Sequence, residues 1–121
     1  SIGSEKYEYD ILGRISSVTH FNMNGNLEKT ITMLYDDTLG RKTKIITDKS
    51  KKLIRRIETK NNSQNKKIIQ ATFDNKSRLT QKKTIGYNKN GYLHRVHDYD
   101  MLKPSETQGP VLINIITYEY D

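Results

Sequence analysis

Short turn signals recur along the whole chain and constrain its fold more than any other feature. Segments that start with Asp or Asn share one residue pattern. Gly occupies the fourth position in four copies, a basic or polar residue usually occupies the fifth, and a large aliphatic residue usually occupies the sixth. The copies start at Asp10, Asn22, Asp37, Asp48, Asn62, Asp74 and Asn88. This repeat predicts short strands joined by tight turns.

The chemistry of tight turns explains this residue pattern. Asp or Asn at the first position of a type I turn accepts hydrogen bonds from the backbone two residues on, and Gly at the fourth supplies the left-handed conformation of a hairpin with a G1 bulge. We therefore predict positive φ at Gly13, Gly25, Gly40 and Gly91. The remaining copies carry Lys51, Asn65 and Ser77 at this place. Asn tolerates the conformation, whereas Lys and Ser each cost about 1 kcal/mol, which leaves other turn geometries open to them.

The spacing of the turns predicts the topology. The step from Asn22 to Asp48 equals the step from Asp48 to Asp74, and one more step of that length reaches Asp100, so a unit of two strands and two turns repeats. Between turns the apolar residues alternate as they do in half-buried strands. The links are too short for parallel crossovers, so consecutive strands should pair antiparallel in one domain spanning 1–121. We expect nine strands, near 5–9, 14–21, 27–36, 42–47, 53–59, 67–73, 79–87, 92–99 and 111–120.

The apolar content bears on how such a sheet is completed. Only 33% of the residues are hydrophobic, and Ile is the commonest of them; Ile and the eight tyrosines are residue types typical of strands. A sheet of nine strands with so few apolar residues leaves one face partly exposed to water. Such a sheet must curl, close into a barrel or be covered by a neighbouring molecule. We expect an all-β antiparallel meander that is strongly twisted or curled and open, with a closed β-barrel as the alternative.

Charge is concentrated in the middle of the chain. The whole chain carries +7, whereas Arg41 to Lys83 holds 15 basic and 3 acidic residues, or +12, which leaves −5 on the flanks. Such a block can attract nucleic acid or another polyanion. It is also what solvent-exposed strands need for solubility and for blocking edge-to-edge association. The candidate polyanion contacts are Lys44, Lys52, Arg55, Arg56, Lys67, Lys82 and Lys83.

Catalytic and metal-binding patterns are weak in this sequence. With no cysteine, neither a thiolate metal site nor a cysteine nucleophile is possible. His94 and His97 are three residues apart in a predicted strand, which puts them on opposite faces. Asp98 and Asp100 share a face and leave hydrolysis or cation binding as a minor alternative. We therefore predict no catalytic residue, no metal and no cofactor.

Two further features leave alternatives open. The segment from Asp100 to Pro110 is the one long connection, and it is either a functional loop or a tolerated surface insertion. The chain also has eight tyrosines and no tryptophan. Exposed tyrosines suit sugar stacking or, beside basic residues, single-stranded nucleic acid, whereas cross-strand packing accounts for them without any ligand.

The segment "YEYDILGRI" resembles the YD (RHS) repeat signature, in which an aromatic-x-aromatic-Asp strand end precedes x-x-Gly-Arg and an aliphatic residue. The resemblance recurs more weakly at "YDDTLGRK", "TFDNKSRL" and "GYNKNGYL", and so covers nearly the whole chain. It implies structural turn roles for Asp10, Gly13, Arg14, Asn22, Gly25, Asp37, Gly40, Arg41, Asp74, Arg78, Asn88 and Gly91.

YD-repeat proteins are typically bacterial surface or secreted proteins whose repeats build a β-sheet shell or bind carbohydrate. This array is too short for a closed shell. The resemblance implies a non-enzymatic envelope or extracellular scaffold that binds a glycan, a protein or neighbouring repeats. From the residues themselves we expect no membrane span and no targeting segment in this chain, because no apolar run reaches the roughly 18 residues that a bilayer requires and the first residues show no signal-peptide core. Polyanion or nucleic-acid binding through the basic strands is the alternative. The closing "YEYD" suggests that the array continues into flanking repeats, or that the last strand pairs with the first; self-association of the chain is a further alternative.

Overall fold

The computed structural model describes residues 3–100 and 111–118, which form one antiparallel sheet without helices. All nine predicted strands are present, and their order in the sheet is their order in the chain. The strands are β1 Ser4–Tyr9, β2 Ile15–Phe21, β3 Leu27–Asp36, β4 Arg41–Asp48, β5 Leu53–Asn61, β6 Lys67–Phe73, β7 Leu79–Tyr87, β8 Leu93–Asp100 and β9 Val111–Thr117. The predicted functional loop, from Asp100 to Pro110, lies almost entirely outside the described residues.

The sheet is open, as expected. β1 pairs with β2, β9 pairs with β8, and the two outer strands lie at opposite edges of the sheet. Within the described residues the alternative of a closed barrel, and with it the pairing of the last strand with the first, is therefore wrong. Both edge strands keep a row of backbone groups that no other described strand pairs.

Six of the turns share one hydrogen-bond pattern. The first residue of each turn accepts hydrogen bonds through its side-chain Oδ1 from the N–H groups two and four residues on, at 2.8–3.0 Å. Its backbone C=O accepts from the N–H three residues on, where φ is positive. These turns start at Asp10, Asn22, Asp48, Asn62, Asp74 and Asn88. The predicted turn chemistry is confirmed at all six.

Residues without glycine freedom adopt the left-handed conformation in half of these turns. The φ angles of Lys51, Asn65 and Ser77 are 64°, 61° and 60°, close to the 79° and 80° of Gly13 and Gly25. A different geometry for Lys51 and Ser77 was left open by the sequence, but the turns keep the shared form. The side-chain cap and the paired strands on either side outweigh the local cost of about 1 kcal/mol.

The turn between β3 and β4 corrects one sequence assignment. Asp36, rather than Asp37, is the capping residue here, because its Oδ1 accepts a hydrogen bond from the N–H of Leu39 at 3.1 Å. Asp36 then lies opposite Arg41 in the ladder, without the bulge found at the other hairpins. Gly40 has φ 64°, as predicted, but it stands one place later in this turn than Gly13 does in the first.

Counting from Asp36 makes the repeat regular. A shorter and a longer step now alternate strictly along the capping residues, which are Asp10, Asn22, Asp36, Asp48, Asn62, Asp74 and Asn88. One shorter and one longer step together make the unit that leads from Asn22 to Asp48, which we call one repeat. Turns at the same end of the sheet are therefore one repeat apart, because successive turns lie at opposite ends.

The two faces of the sheet differ in burial. We call the face that carries Val18, Thr59 and Val96 the shielded face, since these are the buried side chains of the described residues, with 8–9% exposure. Cross-strand pairs trace this face without interruption from Tyr7 on β1 to Ile116 on β9. A single sheet has no second layer, so these side chains are covered by their neighbours on the same face.

Candidate functional site

The arginines of the turn signature act on the turns themselves. Arg14 Nε donates to Asp10 Oδ2 and Arg78 Nε donates to Asp74 Oδ2, both at 2.8 Å. This pairing lies beside the backbone cap, which uses the other carboxylate oxygen. The sequence assigned Asp37 and Arg41 the turn positions that Asp10 and Arg14 hold in the first copy. Instead Asp37 accepts a hydrogen bond from Arg14 Nη1 at 2.7 Å, which ties two neighbouring turns together.

A tyrosine completes this cluster at the same end of the sheet. The Arg14 guanidinium lies 4.0 Å from the centre of the Tyr35 ring, and the Tyr35 hydroxyl donates to the carbonyl of Ile15 at 2.8 Å. Asp10, Arg14, Tyr35 and Asp37 thus use their polar groups within the chain. We interpret them as a structural fastening between β2 and β3 rather than as a ligand site.

The predicted basic block is not gathered on one surface. Alternation and register place Lys44, Arg55 and Lys83 on the shielded face and Arg56 and Lys82 on the other. Lys67 begins β6 and Lys52 lies in the turn before β5.

Several of these cations have partners in the chain. Arg56 lies 4.2 Å from the centre of the Phe73 ring, and its Nε is 3.4 Å from Glu58 Oε1. Lys67 Nζ donates to Gln70 Oε1 at 3.2 Å. Charge concentrated along the sequence is therefore dispersed in space, because neighbouring residues of a strand point to opposite faces.

The two halves of the chain differ most in one cross-strand row of side chains on the shielded face. In the first half of the chain Tyr7, Val18, Ile31 and Ile46 stand side by side across four strands, which we call the apolar row. Their counterparts two repeats later are Thr59, Gln70, Lys83 and Asp98, which we call the polar row. Asn114 on β9 extends the polar row. The scaffold is repeated, but the side chains at its centre change from apolar to hydrogen-bonding.

A groove of about 410 Å³ runs over this polar row. Ile85, Val96 and Ile116 form one side of its floor, and Lys83, Gln70 and Asp98 supply polar groups. The remaining lining residues are Lys67, Tyr87, Leu93 and Tyr118. Its volume lies within the range of roughly 300–1,000 Å³ that is usual for small-ligand sites.

The carboxylate of Asp98 is the least satisfied group of the groove. Its side chain is 15% exposed, and its Oδ1 is buried without a hydrogen-bond partner among the described residues. Lys83 Nζ is 3.7 Å from this oxygen, close enough for an ion pair but too far for a hydrogen bond. A buried oxygen acceptor without a donor costs about 1–3 kcal/mol, and a ligand hydroxyl or amine could supply that donor.

Tyr87 gives the groove a fixed aromatic wall. Its hydroxyl donates to the carbonyl of Lys67 at 2.6 Å, and Lys66 Nζ lies 5.4 Å from its ring centre. Tyr118, at the other side, is held through its backbone N–H, which donates to the carbonyl of His94 at 2.7 Å. The hydroxyl contact holds the Tyr87 ring in place, so little freedom of that side chain is lost when a ligand packs against it.

The described part of the chain shows no other obvious chemistry. No group of three or more His, Asp or Glu side chains in residues 3–100 and 111–118 could hold a metal ion. Over the same residues there is no helix of the length and apolarity needed to cross a bilayer.

No protein-family model and no curated protein matches this chain. Among solved structures, the chain is similar to a protein of unknown function from Bacteroides fragilis NCTC 9343. The two agree with a TM-score of 0.65 over 95% of this chain and 92% of that one, at 14% sequence identity. Sequence identity this low shows a shared fold alone. The structural match agrees with the observed β-meander.

Sequence reasoning did not find the groove. It singled out Lys67 and Lys83 as parts of a charge run, and Asp98 as part of a pair with Asp100, but it did not connect them with Gln70 or Tyr87. A signal was available: comparison of residues two repeats apart would have set Val18 against Gln70 and Ile46 against Asp98. The repeating unit from Asn22 to Asp48 was recognised, but its copies were compared only at the turns.

Proposed function

We propose that the protein is a non-catalytic carbohydrate-binding scaffold, and that the groove over the polar row holds a short neutral glycan. The exchange of an apolar row for Thr59, Gln70, Lys83 and Asp98 at equivalent places of a repeated sheet is the observation that carries this proposal. A sheet that only needed stability would keep the apolar row that its first half uses.

The composition of the groove supports a sugar ligand. Sugars combine apolar C–H faces with a ring of hydroxyl groups, so their sites pair an aromatic or aliphatic floor with a few fixed polar groups. Tyr87 and Ile85 supply the first, and Gln70, Lys83 and Asp98 supply the second. Asp98 Oδ1, which has no hydrogen-bond donor among the described residues, suits a ligand hydroxyl.

The resemblance to YD-repeat proteins adds independent support, because carbohydrate binding and location on the bacterial surface are typical of them. We therefore place the protein in the cell envelope or outside the cell, as part of this proposal. Dispersal of the basic residues over both faces speaks against a polyanion site, which needs cations on one surface.

A glycan array followed by calorimetric titration of the best neutral glycan tests the proposal. Lys82 and Lys83 provide a matched pair, since they are sequence neighbours on opposite faces of β7. Lys83→Ala and Asp98→Asn should each weaken binding about tenfold or more, because each removes a polar contact inside the groove. Lys82→Ala should leave the affinity unchanged.

Polyanion binding would give a different pattern. Heparin or single-stranded DNA would bind tightly at 50 mM salt and far more weakly at 200 mM. That result, or an array without any neutral glycan bound, would refute the carbohydrate proposal.

A further inference from the structure

The first edge strand is unusually open. β1 is six residues long and all its side chains are exposed, including Tyr7 at 46% and Tyr9 at 60%. β1 pairs with β2 on one side, and no described strand lies on its other side. Soluble proteins usually protect such an edge, because its free N–H and C=O groups pair readily with another strand.

The charges of β1 are self-complementary in one register. If a second copy of the strand runs antiparallel with Tyr7 opposite Tyr7, then Lys6 lies opposite Glu8 of the other copy, and Glu8 lies opposite its Lys6. Opposite charges placed directly across an antiparallel pair attract, whereas like charges repel. In the single chain Lys6 Nζ and Glu8 Oε1 are 3.9 Å apart, with both side chains more than half exposed, so they can turn to new partners.

We propose that two copies of the chain associate through β1, antiparallel and about a twofold axis at Tyr7. The two sheets then join into one, and the axis, normal to the sheet, keeps both shielded faces on the same side. Tyr7 meets its own counterpart on that face, as aromatic cross-strand pairs do. The two grooves lie far from the joined edge, at β6 to β9, and point the same way.

Charge also favours a second β1 over β9 as the partner. The sequence of β9 and the residue after it, Val111 to Tyr118, contains no charged residue. Pairing β1 of one copy with β9 of another would leave Lys6 and Glu8 without opposite charges. When β1 pairs with a second β1, Lys6 and Glu8 of each copy both face an opposite charge.

Charge reversal tests this interface directly. Lys6→Glu places Glu opposite Glu twice, and Glu8→Lys places Lys opposite Lys twice, so each variant alone should dimerise at least about tenfold more weakly than the unaltered chain. An equimolar mixture of the two variants should form a heterodimer, because every pair is again opposite in charge. The double variant K6E/E8K should dimerise like the unaltered chain. Sedimentation equilibrium over a range of protein concentrations measures all four.

Folding is a simple control here, because both positions are exposed and far-UV circular dichroism should show the same β-sheet signal in every variant. A chain that stays monomeric up to millimolar concentration would overturn the proposal. So would single variants that dimerise as tightly as the unaltered chain, since the interface would then lie at β9 or on a face. A mixture that remains monomeric would do the same.

Discussion

The hydroxyl of Tyr35, at the end of β3, donates a hydrogen bond to the backbone carbonyl of Ile15, at the start of β2. The same contact recurs two repeats later, where the Tyr87 hydroxyl donates to the carbonyl of Lys67. β3 runs past the residues that pair with β2, so the tyrosine reaches back to a carbonyl beyond the paired ladder. The second aromatic of the turn signature thus fastens one hairpin to the next.

Removing this hydroxyl should destabilise the sheet. We expect Tyr35→Phe to lower the free energy of unfolding by about 1 kcal/mol, because the Ile15 carbonyl loses its donor while the ring stays on Arg14. Tyr87→Phe should cost a similar amount. Tyr9→Phe, at an exposed ring, should change it by less than about 0.5 kcal/mol. Urea unfolding measures all three, and equal values for Tyr35→Phe and Tyr9→Phe would contradict the role of the bond.

Stability should depend on pH through three turn aspartates. The pKa values of Asp10, Asp48 and Asp74 lie below their usual value, chiefly because each carboxylate accepts a hydrogen bond from the backbone N–H four residues on. A pKa lowered by folding gives stability that is present above the unfolded value, near 3.9, and is lost as the pH falls through the folded value. We therefore expect unfolding midpoints in urea to fall below about pH 4.

Asparagine offers the control for that pH dependence. Asn22, Asn62 and Asn88 form the same cap with an amide, which does not titrate. The triple variant D10N/D48N/D74N should therefore fold and should lose part of the acid sensitivity. An acid profile identical to that of the unaltered chain would show that other carboxylates cause the loss.

Glycine should stabilise the two turns in which Lys51 and Ser77 adopt the left-handed conformation. Lys51 and Ser77 have φ near 60°, where a side chain costs about 1 kcal/mol or more, so Lys51→Gly and Ser77→Gly should each stabilise the chain by up to about 1 kcal/mol. Asn65→Gly should gain less, because Asn tolerates this conformation. Thermal unfolding of the three variants checks the order, and a loss of stability in Ser77→Gly would refute it.

Replacing the polar row by the apolar residues of the first half should raise stability and abolish glycan binding. The variant Q70V/K83I/D98I copies Val18, Ile31 and Ile46 into the equivalent places. It removes the buried oxygen of Asp98 that has no donor, so we expect a gain of roughly 1–3 kcal/mol in unfolding free energy and loss of glycan binding. A destabilised variant would mean that the polar row serves the fold.

Local chemistry allowed the turns to be predicted in detail, with one error that is informative. Asp37 was chosen because it stands three residues before Gly40, as Asp10 does before Gly13. The chain instead caps the turn with Asp36 and places Gly40 at the end of a hairpin without a bulge. Both interpretations satisfy turn chemistry, and the choice between them depends on register with β2 and β4, which no local pattern contains.

The sequence by itself determined where the chain turns, that nine strands follow one another antiparallel, and that four glycines take positive φ, because each of these depends on a few neighbouring residues. Only the tertiary structure decided which side chains stand together. Row partners such as Gln70, Lys83 and Asp98 are far apart in sequence and meet through pairing register across strands. Register is a property of the whole sheet, so the dispersal of the basic block and the groove over the polar row emerge only when the strands are assembled.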